Sequence, residues 1–284
     1  MLKPFLGSAI AATLLFAAAP AFAQGAACDR ADLQGMADAY VEAQTTGIPL
    51  KIPFADFSQI TEQGEIGSMS GGILSTPLKI DLHRAILDVP TCSAFVEVIV
   101  TDPAHPYVIG ARLQYAGKFS PIAAERTSEA EFVVTDKDDW LFNAKKTLQY
   151  AKAENWGEIP VADRDSRATL IAAANAYLDS FSDKSVQVPW GAPCARLEGG
   201  LYTSEGRCDV GIPSGVKLTE RRYIVDETIG AVAVVLRFGD NALPDVHSFR
   251  IEKGKIRYVH TMTVCKSENC GLKLPDDVKR RLQD

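Results

Sequence analysis

The segment LQGMADAYV at residues 33–41 recurs as LIAAANAYL at residues 170–178, and this recurrence decides how the rest of the chain is interpreted. Further pairs of similar segments follow it in the same order. They are IPF (52–54) with VPW (188–190), KIDLHRAILD (79–88) with KLTERRYIVD (217–226), DPAHP (102–106) with DNALP (240–244), and RLQYAGKF (112–119) with RIEKGKI (250–256). Because the spacing between these pairs changes only slightly, we predict a duplication that gives two copies of one structural unit.

Both copies begin with a helix and end with strands. In the first copy Leu33, Met36 and Tyr40 recur at helical spacing, and the matching positions of the second copy are also apolar. Residues 94–101 and 231–238 are rich in Val, Ile and Phe, as strands are. Hairpins are predicted over 107–126, turned at Ala116-Gly117, and over 246–264, turned at Lys253-Gly254. A helix followed by antiparallel strands indicates an α+β fold, because a doubly wound sheet would alternate the two.

The repeat predicts a division of the chain into segments. They are a signal peptide (1–23), a first unit (24–135), a linking helix and loop (136–162), a second unit (163–270) and a C-terminal tail (271–284). The linking helix is predicted from Asp139 to Glu154. Lys3, the apolar run from Ala9 to Phe22 and the sequence Ala21-Phe22-Ala23 are typical of a secretory signal peptide, so we expect a secreted or periplasmic protein.

The amino-acid composition limits the classes of binding partner and favours disulfide bonds. The formal net charge is −6, and nucleic acids or anionic membranes would need clustered Lys and Arg, so neither is expected as a partner. The 6 cysteines of an exported chain favour disulfides, although fifteen pairings are possible for that number. The preferred pairs are Cys28–Cys92, Cys194–Cys208 and Cys265–Cys270. A metal cluster or a reactive thiol is the alternative, but the sequence has neither C-x-x-C nor H-x-x-x-H spacing.

The order of elements resembles the cone-shaped NTF2-like fold of nuclear transport factor 2, ketosteroid isomerase, scytalone dehydratase and SnoaL-type polyketide cyclases. That resemblance implies helices packed on a strongly curved antiparallel sheet, with a pocket between them. Enzymes of this class use acid–base side chains in an apolar cavity, usually without a cofactor. Because such proteins commonly pair, a tandem copy would be a covalent pseudo-dimer, either monomeric as a chain or a homodimer.

A second resemblance rests on longer strings of residues. They are STPLKID (75–81), VTDPAHPYVIG (100–110), DWLFNA (139–144), VPWGAPCARLEGG (188–200), IPSGVKLTERRY (212–223) and RYVHTMTVC (257–265). These strings are similar to a family of secreted fungal and bacterial proteins whose domain has no known function. The similarity extends over nearly all of the mature chain, and it brings no activity with it.

The catalytic candidates lie on the last strands of the second copy. Strand alternation puts Tyr258 and His260 on the more apolar face, and His247 on the apolar face of the preceding strand. Aligned by sequence, the first copy has Ile109 and Ala123 in place of the two histidines. We therefore predict that His247 and His260 share one pocket as acid–base groups, with Tyr258 as proton donor or oxyanion partner. The alternative is that each is a core histidine satisfied by a backbone carbonyl.

Other polar residues are candidates for binding the substrate. They are Arg222, Arg221, Tyr223, Trp190, Glu198 and Asp226. Arg222 and Asp226 have counterparts in the first copy, which suits a structural role equally well, and Trp190 is either a stacking wall or a core anchor. In the first copy, Glu97 is an odd carboxylate within an apolar run. No metal is predicted, because the 4 histidines lack a diagnostic ligand spacing.

Two functions remain open from the sequence. Glycine-rich nucleotide motifs and the G-x-S-x-G elbow do not occur, so cofactor-independent chemistry is expected. The first hypothesis is a lyase, isomerase, cyclase or hydrolase that acts on a small, mostly apolar or aromatic molecule, such as a polyketide-like compound or a lignin-derived ether. The second is a non-catalytic protein that binds a small molecule or a partner.

Overall fold

The computed structural model describes residues 27–118, 125–204, 208–267, 270 and 272. The predicted signal peptide and nearly all of the predicted C-terminal tail therefore lie outside the described residues. Ala123, which aligns with His260 by sequence, is outside them as well. Within the described residues, no helix is both long enough and apolar enough to cross a bilayer.

The first half of the described chain, unit 1, is one helix followed by six strands. These are α1 (Arg30–Thr46), β1 (Phe54–Glu62), β2 (Glu65–Ile66), β3 (Leu82–Asp88), β4 (Ser93–Val100), β5 (Tyr107–Tyr115) and β6 (Thr127–Thr135). Asp29 and Asp32 exchange side-chain and backbone hydrogen bonds at the start of α1, which satisfies two otherwise free backbone donors. The helix ends at Gly47, whose φ of 66° is left-handed and suits glycine.

The second half, unit 2, has the same elements after a linking helix. The link contains α2 (Ala144–Ala153), and unit 2 contains α3 (Arg167–Asp179), β7 (Trp190–Glu198), β8 (Leu201–Thr203), β9 (Leu218–Asp226), β10 (Ala231–Phe238), β11 (Leu243–Glu252) and β12 (Lys255–Thr263). The sequence placed the start of α2 too early, because Asn143 caps the helix by accepting a hydrogen bond from the Lys146 amide.

The two sheets have the same strand order. It runs β2-β1-β6-β5-β4-β3 in unit 1 and β8-β7-β12-β11-β10-β9 in unit 2. In each sheet the first long strand pairs in parallel with the last, and the other neighbours pair antiparallel. The prediction of a mixed α+β fold is confirmed, and the two halves repeat one topology.

Each sheet is covered by its own helix on one face and by the other sheet on its second face. Leu33, Met36 and Tyr40 of α1 belong to the core of unit 1, and Leu170 and Tyr177 of α3 belong to the core of unit 2. The faces away from these helices meet in a third core. It includes Ile86, Phe95, Ile99 and Val108 from unit 1 with Ile224, Val235, Val246 and Met262 from unit 2. Burying each such side chain contributes about 1.5–3 kcal/mol, so this contact is a main source of stability.

Three disulfides close the fold as the sequence predicted. They join Cys28 to Cys92, Cys194 to Cys208 and Cys265 to Cys270, with Cα–Cα distances of 5.7, 6.2 and 5.6 Å. These distances are in the usual range for disulfides. The bonds suit an oxidising, extracellular-type environment.

Candidate functional site

His247 and His260 lie on opposite faces of the unit 2 sheet. The pairing of β11 with β12 sets His247 opposite Thr261 and Ser248 opposite His260. The register shifts between Arg250 and Ile251, where β12 contributes one extra residue. Without this bulge the two histidines would face each other, and with it every later residue of β12 points to the other face. The prediction that both histidines share one pocket is therefore wrong.

His247 faces α3 and a cavity that is lined by unit 2, by Trp140, Leu141 and Phe142 of the link, and by Thr135 of unit 1. This cavity, the inner pocket, has a volume of about 50 Å³ and is lined by residues that include Phe181, Phe238, His247 and Thr261. A larger cavity of about 460 Å³, the outer pocket, shares Phe238 and the segment near Gly211 with it. The outer pocket therefore lies next to the inner pocket.

A buried carboxylate accompanies His247. Asp245, two residues earlier on the same face of β11, is fully buried, and its Oδ2 lies 3.0 Å from Nδ1 of His247. The angle is not that of a hydrogen bond, so neither atom has a partner among the described residues. Thr263 Oγ1 donates to the other carboxylate oxygen at 2.9 Å. The aspartate is thus held in place while one of its oxygens is left to face the imidazole.

An arginine and a tyrosine lie in the same core. Arg196 is 1% exposed, and its Nη2 donates to the carbonyl of Val210 at 2.6 Å. Its Nε and the hydroxyl of Tyr177 have no partner among the described residues. Burial raises the pKa of Tyr177, which therefore keeps its proton. Buried polar atoms without a partner are costly, so they mark a place where water or a polar ligand group binds.

His260 has a different environment, at the contact between the two units. Its Nδ1 lies 2.7 Å from Oε1 of Glu97 in β4 of unit 1, and its Nε2 lies 2.6 Å from Oε2 of Glu154 at the end of the link. Arg84 Nη1 donates to the other oxygen of Glu97 at 2.8 Å. Trp156 Nε1 donates to Glu154 at 2.8 Å. His260 is 2% exposed with both ring nitrogens bonded.

The charges around His260 keep it protonated. Burial opposes the charge, but the carboxylates of Glu97 and Glu154 outweigh it and raise the pKa of His260 to about 9. Burial would likewise raise the pKa of Glu97, but His260 and Arg84 lower it to about 2. A histidine that is cationic at neutral pH has no free nitrogen for general base catalysis. This cluster is an ion-pair network that joins the two units.

Tyr258 and the predicted substrate-binding residues are dispersed over the two units. Tyr258 packs on Trp156, with ring centroids 6.0 Å apart, so it belongs with His260 and away from His247. Arg221 and Tyr223 both donate to Asn175 of α3, at 2.8 and 2.7 Å. Their hydrogen bonds hold β9 to the helix.

Two of the predicted binding residues do lie beside the inner pocket. Glu198 lines it, with Oε1 3.5 Å from Nη1 of Arg196. Trp190 packs edge-on against Tyr177 at 5.6 Å and supports the wall behind His247. Arg222 instead lines a separate pocket between the units.

Asp226 was predicted to bind substrate, but its contacts show that it joins the two units instead. It accepts from Arg30 Nη1 at 2.8 Å and from the Leu87 amide at 3.1 Å, both in unit 1. Asp88 of unit 1 mirrors it by accepting from Arg167 Nη1 at 2.6 Å and from the Val225 amide at 2.8 Å. Both aspartates are fully buried or nearly so, which leaves no room for a substrate at their carboxylates.

Sequence reasoning missed Asp245, Arg196 and Glu154. Asp245 could have been found, because residues two apart on a strand share a face and it precedes His247 by two. Arg196 and Glu154 carry no local signal, since their partners are distant in the chain. Among the described residues, no group of three or more His, Cys, Asp or Glu side chains is arranged to hold a metal ion.

One protein-family model matches part of the chain, and that family has no known function. Residues 163–263 match a family model described as "Domain of unknown function (DUF8021)". The match spans α3 to β12, which is unit 2, and it is therefore the unit that contains His247 and Asp245. No curated protein matches the chain.

Proposed function

We propose that the two units are NTF2-like cones that arose by tandem duplication and pack as a pseudo-dimer. The identical strand order of the two sheets supports this origin. So does the reciprocal arrangement of Asp88 and Asp226, in which each unit supplies the aspartate that binds the other unit's helix arginine. A two-fold symmetric dimer has contacts of this reciprocal kind.

We propose that unit 2 is a cofactor-independent acid–base enzyme whose site is the inner pocket. The observation that carries this proposal is the buried pair of His247 and Asp245, with Nδ1 and Oδ2 3.0 Å apart at the wall of a cavity. In this arrangement the carboxylate lies next to Nδ1 and would favour a proton there, which would leave Nε2 of the imidazole for a substrate. A histidine oriented by a carboxylate is a common general base near neutral pH.

Arg196 and Tyr177 would supply complementary electrostatics from behind the wall of the pocket, where Tyr177 packs on His247 with ring centroids 5.6 Å apart. The unpartnered Nε of Arg196 and hydroxyl of Tyr177 are donors within an apolar core. Donors of this kind stabilise negative charge that develops on a substrate oxygen when a neighbouring proton is removed. Proton abstraction next to a carbonyl, elimination of water or ring closure would each use this combination.

The two neighbouring cavities suggest how a substrate would be held. The inner pocket of about 50 Å³ has room for a carbonyl or hydroxyl group, and the outer pocket of about 460 Å³ has room for the remainder of a small molecule. Phe181 and Phe238 line the inner pocket. The substrate class is therefore a small, mostly apolar or aromatic molecule with one oxygen function at its buried end.

The second candidate is a non-catalytic protein that binds such a molecule. The small size of the inner pocket favours it, because a cavity of about 50 Å³ also suits ordered waters that would satisfy Arg196 and Tyr177. The two candidates differ in what happens to the bound molecule. An enzyme releases a changed product, whereas a binding protein releases the ligand unaltered.

The test compares three variants on a panel of aromatic ketones, esters and ethers, with conversion followed by mass spectrometry. His247→Gln and Asp245→Asn remove the proposed acid–base pair, and His105→Gln makes the same change at an exposed histidine. We expect the His247 variant to lose about 10²–10⁴-fold in turnover, and the His105 control to keep wild-type activity. Binding without conversion would favour the second candidate. Conversion that survives in both pocket variants would disprove the catalytic role.

A further inference from the structure

A second pocket lies where the two units meet, away from His247. It has a volume of about 200 Å³, and the residues that line it include Gly64, Arg112, Glu129, Glu131, Arg222 and Arg237. We call it the arginine pocket. Three arginines and two glutamates give it a formal charge of +1, which suits a monoanion.

The repeated topology gives three residues of the arginine pocket, Glu129, Glu131 and Arg222, counterparts on the other side of the molecule. The parallel pairs Phe54 with Thr127 and Trp190 with Ile256 occupy the same register in the two sheets. Four residues further along, Glu131 in β6 therefore corresponds to His260 in β12. By the same register Glu129 corresponds to Tyr258. Arg222 precedes Asp226 as Arg84 precedes Asp88, so these arginines correspond as well.

The space that corresponds to the arginine pocket, next to Arg84 and His260, is filled by Trp156 of the link. The Arg84 guanidinium lies over the indole ring, 4.1 Å from its centroid. His260 and Tyr258 pack on the same ring with centroid distances of 5.2 and 6.0 Å. The counterparts of all three neighbours of Trp156 line the arginine pocket. The pocket is therefore the place where one unit lacks the aromatic group that the link supplies to the other.

The arginine pocket also has unused hydrogen-bonding atoms. Glu131 has only 9% of its side chain exposed, and its Oε1 accepts from Arg222 Nη2 at 2.7 Å. Its second oxygen, Oε2, lies 3.9 Å from Nη1 of Arg112, and neither Oε2 nor Arg222 Nε has a hydrogen-bond partner among the described residues. Arg112 pairs with Glu129 at 2.9 Å, and Arg237, which lies against Gly64, has its Nε 3.6 Å from Oε2 of Glu220. Two residues that line the pocket thus each keep one atom without a hydrogen-bond partner, an acceptor on Glu131 and a donor on Arg222.

We propose that the arginine pocket binds a small planar aromatic acid that also carries an O–H or N–H donor. The ring takes the place of the indole by stacking on the Arg222 guanidinium, as Trp156 does on Arg84. The donor bonds to Oε2 of Glu131, and the acid group faces Arg112 and Arg237. Stacking on a guanidinium and pairing of an arginine with a carboxylate are both favourable. This site is independent of the proposed chemistry at His247.

The test uses calorimetric titration of the full mature chain with 4-hydroxybenzoate, benzoate and phenol. The first probe has the ring, the acid and the donor, benzoate lacks the donor, and phenol lacks the acid. We expect 4-hydroxybenzoate to bind more tightly than either control compound. Changes in the NMR signals of the Thr61 and Gly64 amides would locate it in the arginine pocket, whereas changes at Thr261 would locate it at the inner pocket.

Two variants and one matched control complete the test. Arg222→Lys keeps the charge and removes the flat guanidinium, so 4-hydroxybenzoate should bind about tenfold more weakly. Arg221→Lys is the same change at the neighbouring residue, which bonds to α3, and it should leave binding unaltered. In Glu131→Gln the amide oxygen remains on Arg222 and an NH₂ group faces the ligand, so the hydroxyl can only accept from a neutral group and the preference over benzoate should fall.

Each other outcome overturns the proposal. It fails if 4-hydroxybenzoate does not bind at millimolar concentration, if Arg222→Lys and Arg221→Lys behave alike, or if Glu131→Gln keeps the full preference for the hydroxyl. Signals that move only at the inner pocket would also refute it, and would leave the proposed function of His247 untouched. Circular dichroism of each variant confirms that the protein compared is folded.

Discussion

His260 is a histidine whose role follows from its neighbours more than from its own chemistry. It lies between Glu97 of unit 1 and Glu154 of the link, and Arg84 completes the row of alternating charges. Removing one partner from a buried network of this kind leaves an uncompensated charge, which is strongly destabilising. The imidazole therefore contributes to stability through a charge that it must keep.

The first prediction is that this contribution disappears in alkaline solution. The folded pKa of about 9 exceeds the unfolded value of 6.5, so the contribution is complete below pH 6.5 and is lost as pH rises through 9. Its size is on the order of 3 kcal/mol. The groups around the ring are Glu97, Glu154, Arg84 and Tyr258. Urea denaturation from pH 6 to 10 should show this loss in the wild type, and the difference between wild type and His260→Gln should shrink over the same range. A difference that is independent of pH would contradict the prediction.

The stability that Glu97 contributes has the opposite dependence on pH. Glu97 has its pKa lowered to about 2 from an ordinary value of 4.5. Its contribution is present above pH 4.5 and is lost as pH falls toward 2. Glu97→Gln should therefore lose its disadvantage relative to wild type in acid, whereas His260→Gln should lose its disadvantage in alkaline solution. A general loss of packing would not give the stabilities of the two variants opposite dependences on pH.

At the scale of elements, β3 and β9 form the contact that a symmetric dimer would have at its axis. Asp88 at the end of β3 and Asp226 at the end of β9 each accept from an arginine at the start of the other unit's helix. Each also accepts from a backbone amide in the other unit's strand. The helix, the strand and the partner strand are thus fixed by one carboxylate in each half.

We predict that Asp88→Asn and Asp226→Asn destabilise the protein to a similar extent. Each change removes a charge-assisted hydrogen bond and leaves a buried amide group poorly matched, which costs about 1–3 kcal/mol. Asp56→Asn, at an exposed site on β1, is the matched control and should cost little. The double variant should lose less than the sum, because the two carboxylates hold one contact. Free energies of unfolding in urea measure all four. A large loss in only one aspartate variant would show that the two halves are not equivalent here.

The helices and strands also show how much of the fold the sequence could predict. The order of elements, the helix faces around Leu33 and Leu170, and the three disulfides follow from local patterns and the repeat. The bulge in β12 does not, because nothing in Ile256-Arg257-Tyr258 announces an extra residue. That one residue moves His260 from the pocket of unit 2 to the contact between the units. His260 then bonds to Glu97 and Glu154, which are far from it in the sequence, and no local pattern predicts contacts of this kind.

For the whole molecule, the two units offer similar apolar faces with different charges on them. In the intact chain Arg222 of unit 2 bonds to Glu131 of unit 1, and Arg84 of unit 1 reaches Glu97, which bonds to His260 of unit 2. The arrangement is therefore complementary between unlike units. Charge patterns of this kind select one partner over another more than they add affinity.

The last prediction concerns the units when they are expressed separately, as residues 27–135 and 163–270. Two copies of unit 1 would place each Arg84 against Glu131 of the other copy, and opposite charges would meet. Two copies of unit 2 would place each Arg222 against His260, with Val235 where unit 1 has the carboxylate of Glu97. Without Glu97 and Glu154 neither residue has a carboxylate partner, and Arg222 would carry an unpaired charge into the centre of an apolar contact, which is costly. We therefore expect unit 1 to form a homodimer at least about tenfold tighter than unit 2 in sedimentation equilibrium.

A single substitution in unit 2 separates this charge effect from a difference in packing. His260→Glu gives unit 2 the carboxylate that unit 1 has at Glu131, so each Arg222 gains a partner in the second copy. The variant should dimerise more tightly than unmodified unit 2, and its dimer should weaken with added salt, because screening reduces the attraction between the new charges. If unmodified unit 2 already dimerises as tightly as unit 1, or if His260→Glu has no effect in a folded unit, then the apolar faces alone determine which units pair.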